Sequence, residues 1–364
     1  MTFIIKMLEL CCSPISGGYF VSQMAIMTML MEVRNKSKII DKKFLDLYFG
    51  ASGGALTNMI STCFEETKES IERLLYSLQS EIFVKNWWKG KIKFLDSKIF
   101  YLFKNSFFES SDNIYDVVRE LTSNNQFNNF NSPELWTLTF NINKSKPTIF
   151  CSKKENHSLF KDSLNIESNF VNFEYIFLDG DLEKISKTVM ASASVPGVKE
   201  GVKIDNESHV DGGVSNPTPY IYFTKILYSK NKNKEITRPY HYYYLLPHGK
   251  KESTEEKVSN SIADAFLNNL SFSVFNDREF VFNSWLKLID TEEDKLEKIM
   301  IKKIKKKDLL DLLEKFHFSD YFITFYADCT PINITKFNSD DLENCFHESY
   351  NNINIEMFVN KNLI

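Results

Sequence analysis

The sequence predicts an α/β fold with a mostly parallel central sheet. A strand-like apolar run, a glycine-containing turn and a buried helix follow one another twice near the N-terminus, and this alternation is typical of α/β proteins. Glycine is scarce, with 12 residues in 364, yet seven of these glycines fall into three groups. Because glycine permits positive φ and close backbone approach, we expect the chemistry at these groups, which are Gly17-Gly18, Gly50/Gly53/Gly54 and Gly212-Gly213.

The composition is that of a globular protein. With 43% hydrophobic and 25% charged residues, the chain is neither disordered nor collagenous, nor is it a disulfide scaffold. Its net charge of -4 gives no overall field for nucleic acid, so we expect no nucleic-acid partner. The length of 364 residues predicts one large domain, residues 1–364, with a sizeable insert.

Neither a membrane span nor a metal site is predicted. The apolar run Tyr19–Val33 is interrupted by polar residues and is shorter than the ~20 residues that a bilayer requires. The N-terminal residues lack the pattern of a secretory leader, so we expect a cytoplasmic protein. Six scattered cysteines without C-x-x-C spacing indicate reduced thiols, and we expect no metal and no other cofactor.

The first elements follow the order of two α/β units. Phe3–Leu10 is a β-like run, and Tyr19–Arg34 is apolar almost all round, as expected of a buried helix. Phe44–Phe49 is predicted to form a second strand, and Ala55–Phe64 a second helix. The first two glycine groups therefore lie between a strand and a helix.

A change in character marks an insert at residues 65–130. This segment is charged and aromatic and almost free of glycine and proline, so we predict a helical insert lying over the sheet. Within it, Trp87-Trp88 lies among lysines. Packing of the insert on the body explains large aromatic residues better than contact with lipid does.

The rest of the chain alternates between strands and helices. Leu135–Phe140 and Thr148–Cys151 are predicted to form a strand pair, and Asp181–Ser194 a helix with Asp181 as its N-cap. Residues 250–364 are expected to be mainly helical. The remaining predicted elements are strands at Val202–Ile204, Ser208–Val210, His241–Leu246 and Asp320–Ala327, and helices over 250–315 and Ser339–Tyr350.

A cluster of lysines follows four acidic residues near the C-terminus. This order would place acid at the start and base at the end of a helix, as the helix dipole favours. We therefore predict a solvated helix face rather than a site for anionic lipid. The lysines are Lys298, Lys302, Lys303, Lys305, Lys306 and Lys307.

Ser52 lies in a G-x-S-x-G motif, residues 50–54, in the setting where this motif carries chemistry. A β-like run precedes it and a helical pattern follows, so the turn would lift Ser52 Oγ clear of the backbone. The N-terminus of the following helix supplies unpaired N–H groups and the positive end of a dipole. Ser52 is therefore the candidate acyl nucleophile. A glycine turn that only packs a helix on a strand is the structural alternative.

A serine nucleophile needs a general base. Histidine is the usual choice, and of six histidines only His209 lies close in sequence to a glycine group. Asp211 is the better candidate, because the two glycines after it let the backbone turn sharply at the end of the sheet. An Asp with an ordinary pKa of ~4 is a weak base, so the site must desolvate Asp211 or align it with Ser52.

Ser16-Gly17-Gly18 follows the first strand and precedes the first helix. The N–H groups of Gly17 and Gly18, with that of Gly53, are predicted to form an oxyanion hole, in which losing one donor can cost ~3 kcal/mol. A phosphate-binding Rossmann turn is the alternative. However, neither a third glycine at the G-x-G-x-x-G spacing nor a ribose-binding acid follows.

Together these motifs resemble those of the patatin-like phospholipases. That family combines a glycine-rich loop after the first strand, a G-x-S-x-G elbow and an Asp-Gly-Gly motif. The resemblance covers about residues 3–219. The matching segments are Ser16–Gly18, Phe44–Ala55, Ala191–Gly197 and Val210–Pro217.

The resemblance implies a three-layer α/β/α fold and hydrolysis of acyl esters without a metal. It implies Ser52 as the nucleophile and Asp211 as the base, acting as a Ser-Asp dyad. The implied substrate is a phospholipid or lysophospholipid, and we expect peripheral contact with membranes.

One segment departs from the family pattern. The family usually has three glycines and then, after one residue, Arg or Lys and another glycine. The corresponding segment here is Ser16-Gly17-Gly18-Tyr19-Phe20-Val21, with Phe20 at the position of the cation and Val21 at that of the last glycine. Phe20 carries no charge, and Val21 disfavours positive φ. This departure leaves open a patatin-fold binding or scaffold protein that has lost turnover or depends on an activating protein partner. An ordinary α/β-hydrolase with a catalytic histidine is a separate alternative, and the placement of the Asp-Gly-Gly motif argues against it.

Overall fold

A sheet of eleven strands runs through the part of the chain that the computed structural model describes. The described residues are 8–16, 19–40, 44–63, 68, 71–72, 133–152, 174–196, 200–214, 240–246, 278–327, 329 and 339–360. The strands are β1 Leu8–Ser13, β2 Leu47–Ala51, β3 Glu134–Asn141, β4 Lys146–Cys151, β5 Glu174–Phe177, β6 Val202–Ile204, β7 Glu207–Asp211, β8 Tyr240–Leu245, β9 Leu296–Ile301, β10 Tyr321–Ala327 and β11 Ile353–Asn360. The helices are α1 Phe20–Lys36, α2 Gly53–Cys63, α3 Leu182–Ser192, α4 278–288, α5 Lys306–Lys315 and α6 Ser339–Asn351.

Parallel strands form the centre of the sheet. In the order β5-β4-β3-β2-β1-β8-β10-β11-β9, every neighbouring pair from β3 to β10 is parallel. Antiparallel pairs flank this centre, where β4 joins β3 and where β11 joins β10. Because the carboxyl ends of parallel strands lie at the same end of a sheet, the segments that follow β1, β2 and β8 lie on that same side.

Strands β2 and β7 pair with consecutive parts of the same edge of β3. The pairing of β2 with β3 ends where Ala51 faces Leu138, and the pairing of β7 with β3 begins at the next residue, where Thr139 faces Asp211. Strand β4 occupies the opposite edge of β3. The last residues of β2 and β7 therefore meet along one edge of β3.

Helices cover both faces of the sheet. On one face, residues of α1, α2, α3, α5 and α6 form a continuous apolar core with inward side chains of the sheet, such as Cys11 and Tyr243. On the other face, Phe282 and Trp285 of α4 pack with Cys12 and Phe322. This arrangement confirms the predicted α/β fold with helices on both sides of a mostly parallel centre.

Most of the predicted elements are present. Helix α1 and helix α6 match their predicted spans to within two residues at each end, and β3 and β4 form the predicted antiparallel pair. Asp181 caps α3, because its side chain accepts a hydrogen bond from the Lys184 N–H at 3.0 Å. Residues 3–7, most of the predicted insert 65–130 and Trp87-Trp88 lie outside the described residues.

Two predictions for the C-terminal part of the chain are wrong. Residues 296–301 form strand β9 and not a helix, and β11 was not predicted. Helix α5 begins only at Lys306, so Lys305, Lys306 and Lys307 lie at its N-terminus, and the predicted helix with acid first and base last is wrong. Pairing of β9 with β11 outweighs the helical tendency of a segment rich in Lys and Glu.

Strands β9, β10 and β11 extend the same sheet, so the described residues of 250–364 are less helical than predicted. The extent of a single domain over residues 1–364 stays a prediction. Within the described residues, no helix combines the length and the apolar composition that crossing a bilayer requires.

A buried ion pair joins the first strand to the first helix. Arg34 Nη2 lies 2.8 Å from Glu9 Oε2, and both side chains are almost completely buried. Burial alone would raise the pKa of Glu9, but the Arg34 guanidinium and the neighbouring His241 hold it well below its usual range. The carboxylate thus stays charged inside the protein chiefly because the guanidinium is beside it.

We expect the Arg34→Met substitution to lower the free energy of unfolding by ~3–5 kcal/mol, because it leaves the Glu9 carboxylate buried without its partner. Urea unfolding followed by circular dichroism measures the change. Lys187→Met, which removes the exposed partner of Glu183, is the control and should cost ~0.5 kcal/mol or less. Equal losses in the two variants would show that the buried pair has no special role.

Candidate active site

Ser52 occupies a strained turn between β2 and α2. Its φ of 54° lies in the left-handed region, where a residue other than glycine costs ~1–3 kcal/mol. The Ser52 carbonyl accepts hydrogen bonds from the N–H groups of Ala55 at 3.0 Å and Leu56 at 3.5 Å, so α2 starts directly at the serine. The residue is 5% exposed. Ser52 therefore lies at a tight junction between strand and helix.

Close backbone packing explains the glycines on either side of Ser52. A Cβ atom on Gly54 would lie 2.1 Å from the Ser13 carbonyl oxygen, and one on Gly50 would lie 2.8 Å from the Ala55 backbone. Backbone atoms cannot turn away as a side chain can, so any larger residue would push α2 off the ends of β1 and β2. The turn can keep its shape only with glycine at these two positions.

Ser192, at the end of α3, holds the Ser52 backbone in place. Its Oγ accepts a hydrogen bond from the Ser52 N–H at 2.9 Å and donates one to the Leu138 carbonyl at 2.6 Å. The hydroxyl is buried, so both hydrogen bonds are shielded from water. One side chain thus links the turn after β2 to the neighbouring strand β3.

Asp211 ends β7 and is held from three sides. It pairs with Thr139 in the sheet, its N–H donates to the Ser194 carbonyl at 2.9 Å, and its Oδ1 accepts from the Gly213 N–H at 2.8 Å. A Cβ atom on Gly212 would lie 2.6 Å from the Leu138 carbonyl oxygen, which explains the glycine after the aspartate. The carboxyl group is therefore fixed by backbone contacts.

Burial raises the pKa of Asp211 to about 7. Hydrogen bonds from the Ser52 side chain and from the Gly213 N–H act in the opposite direction, because they stabilise the charged carboxylate. The structure thus places the side chains of Ser52 and Asp211, which are far apart in sequence, close enough for Ser52 to act on the pKa of the carboxyl group. A carboxyl group with a pKa near neutrality can both accept and return a proton at physiological pH.

The segment before α1 packs directly on the Ser52 turn. The Tyr19 N–H donates to the Ser16 carbonyl at 2.8 Å. A Cβ atom on Gly53 would lie 2.3 Å from Ser16 Oγ and 2.7 Å from Phe20 Cβ, so Gly53 faces this segment closely. Gly17 and Gly18 lie outside the described residues, and their position relative to Ser52 stays a prediction.

Phe20 and Val21 lie in the first turn of α1. Val21 has a helical backbone, so this position does not demand the positive φ that Val disfavours. Phe20 is buried against Gly53. An apolar contact therefore occupies a position where the family usually has a cation.

Two positioning residues were not predicted. Ser192 belongs to the segment Ala191–Gly197, which resembles the family pattern, but the resemblance implies no role for this serine. Gln23 is a fully buried amide in a mainly apolar helix, and its Nε2 donates to the carbonyl groups of Pro14 at 2.9 Å and Leu245 at 3.0 Å. Gln23 thus ties the loop after β1 to the end of β8. A buried amide in such a helix is the signal that could have identified it.

His209 contacts a threonine in the structure. Its Nδ1 lies 3.0 Å from Thr139 Oγ1, and burial lowers the pKa of its imidazole. Its ring also packs edge-on against Phe150. Within the described residues, no group of three or more His, Cys, Asp and Glu side chains is arranged to hold a metal ion.

Helices cover both faces of the sheet, and Ser52 lies in a turn between a strand and a helix. These two features define an α/β protein with a candidate site at the carboxyl ends of its parallel strands. The Patatin family model, described as patatin-like phospholipase, matches residues 17–224, which is more than half of the chain. The chain therefore belongs to the patatin-like phospholipase family, whose activity is lipid acyl hydrolysis and whose substrates are lipids. No curated protein matches the chain.

We expect Ser192→Ala to lower the free energy of unfolding by ~1–3 kcal/mol, because it leaves the buried Ser52 N–H and Leu138 carbonyl without this partner. Thr188→Val is a control on the same helix, since the buried Thr188 hydroxyl donates to the Ile185 carbonyl within that helix. The control should cost less than the Ser192 variant. A Ser192 variant as stable as the control would contradict the role given to this hydroxyl.

Proposed function

We propose that the protein is a lipid acyl hydrolase of phospholipase A or lysophospholipase type, acting through Ser52 and Asp211. The observation that carries this proposal is the closeness of Ser52 to the buried Asp211 carboxyl group, at strand ends that meet at neighbouring residues of β3, together with the raised pKa of Asp211, about 7. Membership of the patatin-like phospholipase family supports a lipid substrate. Peripheral contact with membranes and a cytoplasmic location are part of the proposal.

The reaction divides into acylation and deacylation. Ser52 Oγ attacks the ester carbonyl while Asp211 accepts the hydroxyl proton. The tetrahedral intermediate collapses, the leaving alcohol takes the proton from Asp211, and an acyl-serine remains. Water then attacks this ester, Asp211 accepts a proton from the water, and the fatty acid leaves as the proton returns to Ser52.

Backbone N–H groups would stabilise the negative charge of the tetrahedral intermediate. Gly53 N–H is at the start of α2, where the helix dipole favours negative charge. Gly17 and Gly18 are the other proposed donors. Since Phe20 supplies no cation, these N–H groups carry the stabilisation without help from that position, and we expect slow turnover.

Ser52→Ala should abolish both labelling by a fluorophosphonate probe and hydrolysis of short-chain nitrophenyl esters and phospholipid vesicles. Loss of a serine nucleophile costs ~10³-fold or more. Ser61→Ala is a matched control, because Ser61 is a buried serine on the helix that follows the turn, and its hydroxyl has no hydrogen-bond partner among the residues that the structure describes. Labelling and hydrolysis should be unchanged in this control.

Retention of labelling in the Ser52→Ala protein would remove the proposed nucleophile. A wild-type protein that hydrolyses esters only after addition of cell extract would indicate an activating partner. A folded wild-type protein that is inactive with and without extract would favour the binding or scaffold alternative.

Asp211 should make hydrolysis increase as the pH is raised through about 7, because only its ionised form accepts a proton. Its pKa is higher in the folded protein than the value of ~3.9 expected in the unfolded chain, so the free energy of unfolding falls as the pH rises from about 4 to about 7 and stays lowered above that range. Asp211→Asn should therefore abolish hydrolysis and raise the free energy of unfolding by a few kcal/mol at pH ~8, with little effect at pH ~4.

Chemical unfolding at the two pH values measures this change. Asp311→Asn, which alters an exposed carboxylate on α5, is the control and should have little effect at either pH. An Asp211→Asn protein that is no more stable than wild type at alkaline pH would contradict the raised pKa, whatever its activity.

A further inference from the structure

Two cysteines that are distant from the candidate dyad in sequence meet beside α1. Cys329 follows β10, and Cys345 lies on α6. Both are free thiols, and their sulfur atoms are 3.6 Å apart, with the Cys345 S–H donating to the Cys329 sulfur. Sulfur atoms in such contact can form a covalent bond after a small rotation of the side chains.

The two thiols have different environments. The hydrogen bond from Cys345 lowers the pKa of Cys329 to about 7 against the opposing effect of burial, and the nearby Ser349 and Ser22 hydroxyls add to the lowering. The neighbouring Cys329 and burial raise the pKa of Cys345 well above its usual range. Cys329 is also partly exposed, whereas Cys345 is buried. A partly exposed thiol with a lowered pKa next to a buried thiol is an arrangement in which peroxides can oxidise one sulfur and the second sulfur can resolve it.

The thiol pair lies against the start of α1. Burial, and then the neighbouring Cys329 and Cys345 sulfurs, raise the pKa of Tyr19, which places the Tyr19 side chain close to both. Tyr19 directly follows Gly18, and Ser22 lies in the first turns of α1. A disulfide between these sulfurs would therefore form beside the first turns of α1, which directly follow the proposed oxyanion donors in sequence.

We propose that Cys329 and Cys345 form a peroxide-reactive dithiol that closes to a reversible disulfide and thereby lowers hydrolysis at Ser52. The disulfide itself is independent of the proposed function. Its effect on hydrolysis rests on that function.

The chemistry is a two-electron oxidation by hydrogen peroxide. The Cys329 thiolate attacks one peroxide oxygen, the O–O bond breaks, and Cys329 sulfenic acid forms as hydroxide leaves and takes up a proton to give water. The Cys345 sulfur then attacks the sulfenic sulfur, the S–O bond breaks, and the hydroxyl group leaves with the Cys345 proton as a second water. A dithiol reductant restores both thiols by exchange.

The first test is mass spectrometry of the full chain. The reduced protein is treated with stoichiometric hydrogen peroxide, remaining thiols are alkylated under denaturing conditions, and the digest is analysed for a peptide pair joined through Cys329 and Cys345. We expect this pair in the wild type and its loss on treatment with dithiothreitol. Cys329→Ala and Cys345→Ala should each prevent it.

Cys151→Ala is the matched control. Cys151 is fully buried on β4, and burial raises the pKa of its thiol well above the usual range, so it should not react and the linked pair should form as in wild type. The dithiol is overturned if Cys329 and Cys345 both remain alkylatable after peroxide treatment, or if either is found linked instead to another cysteine.

The second test compares ester hydrolysis by the reduced and oxidised forms. We expect oxidation to reduce hydrolysis ~10-fold or more, since a shift of ~1 Å near reacting groups can cost ~100-fold. Dithiothreitol should restore the rate, and the two cysteine variants should resist the loss. A disulfide that forms without changing hydrolysis overturns the coupling to the site. A reduced protein without hydrolysis overturns the proposed function, while the mass spectrum still decides the dithiol.

Discussion

The candidate site depends on one edge of β3. Strand β2 uses this edge up to Leu138, and β7 uses it from Thr139, so the two strand ends meet at neighbouring residues of a third strand. The separation between Ser52 and Asp211 is thus set by the hydrogen-bond ladders of a sheet, which are far stiffer than a pair of surface loops. The Leu138 carbonyl reinforces this junction, because it accepts the Ser192 hydroxyl and lies against Gly212.

Holding the two groups together has a free-energy cost. Ser52 is strained at positive φ, and Asp211 is a carboxyl group in an environment that disfavours its charge. Neither feature stabilises the fold, and both persist because the surrounding backbone contacts leave no alternative. Conflicts of this kind between local preference and tertiary structure are typical of functional sites.

Sequence reasoning predicted the features that depend on local pattern. Each of these features has a recognisable sequence pattern within a few residues: the glycine groups, the apolar helix α1 and the Asp181 cap. The structure contains α1 and the cap as predicted. Strand β9 was missed because its pairing with β11 is a contact between distant segments, and the Lys- and Glu-rich sequence around it favours helix locally. The Ser192 hydroxyl and the raised pKa of Asp211 were not predictable in detail for the same reason. Both arise from burial and contacts across more than one hundred residues of sequence.

Helix α1 connects the C-terminal part of the chain to the candidate site. Its first turn packs on Gly53, and Gln23 binds the carbonyl group of Leu245 at the end of β8. Further along, Arg34 bonds to Glu9 on β1 and contacts Tyr243 Oη on β8. The family match ends at residue 224, yet β8 and α6 lie beyond it and contact this helix. Since the first turn of α1 packs on Gly53, the placement of this turn beside the Ser52 elbow depends in part on residues outside the matched segment. Variation in the C-terminal part can therefore alter the site without changing Ser52 or Asp211.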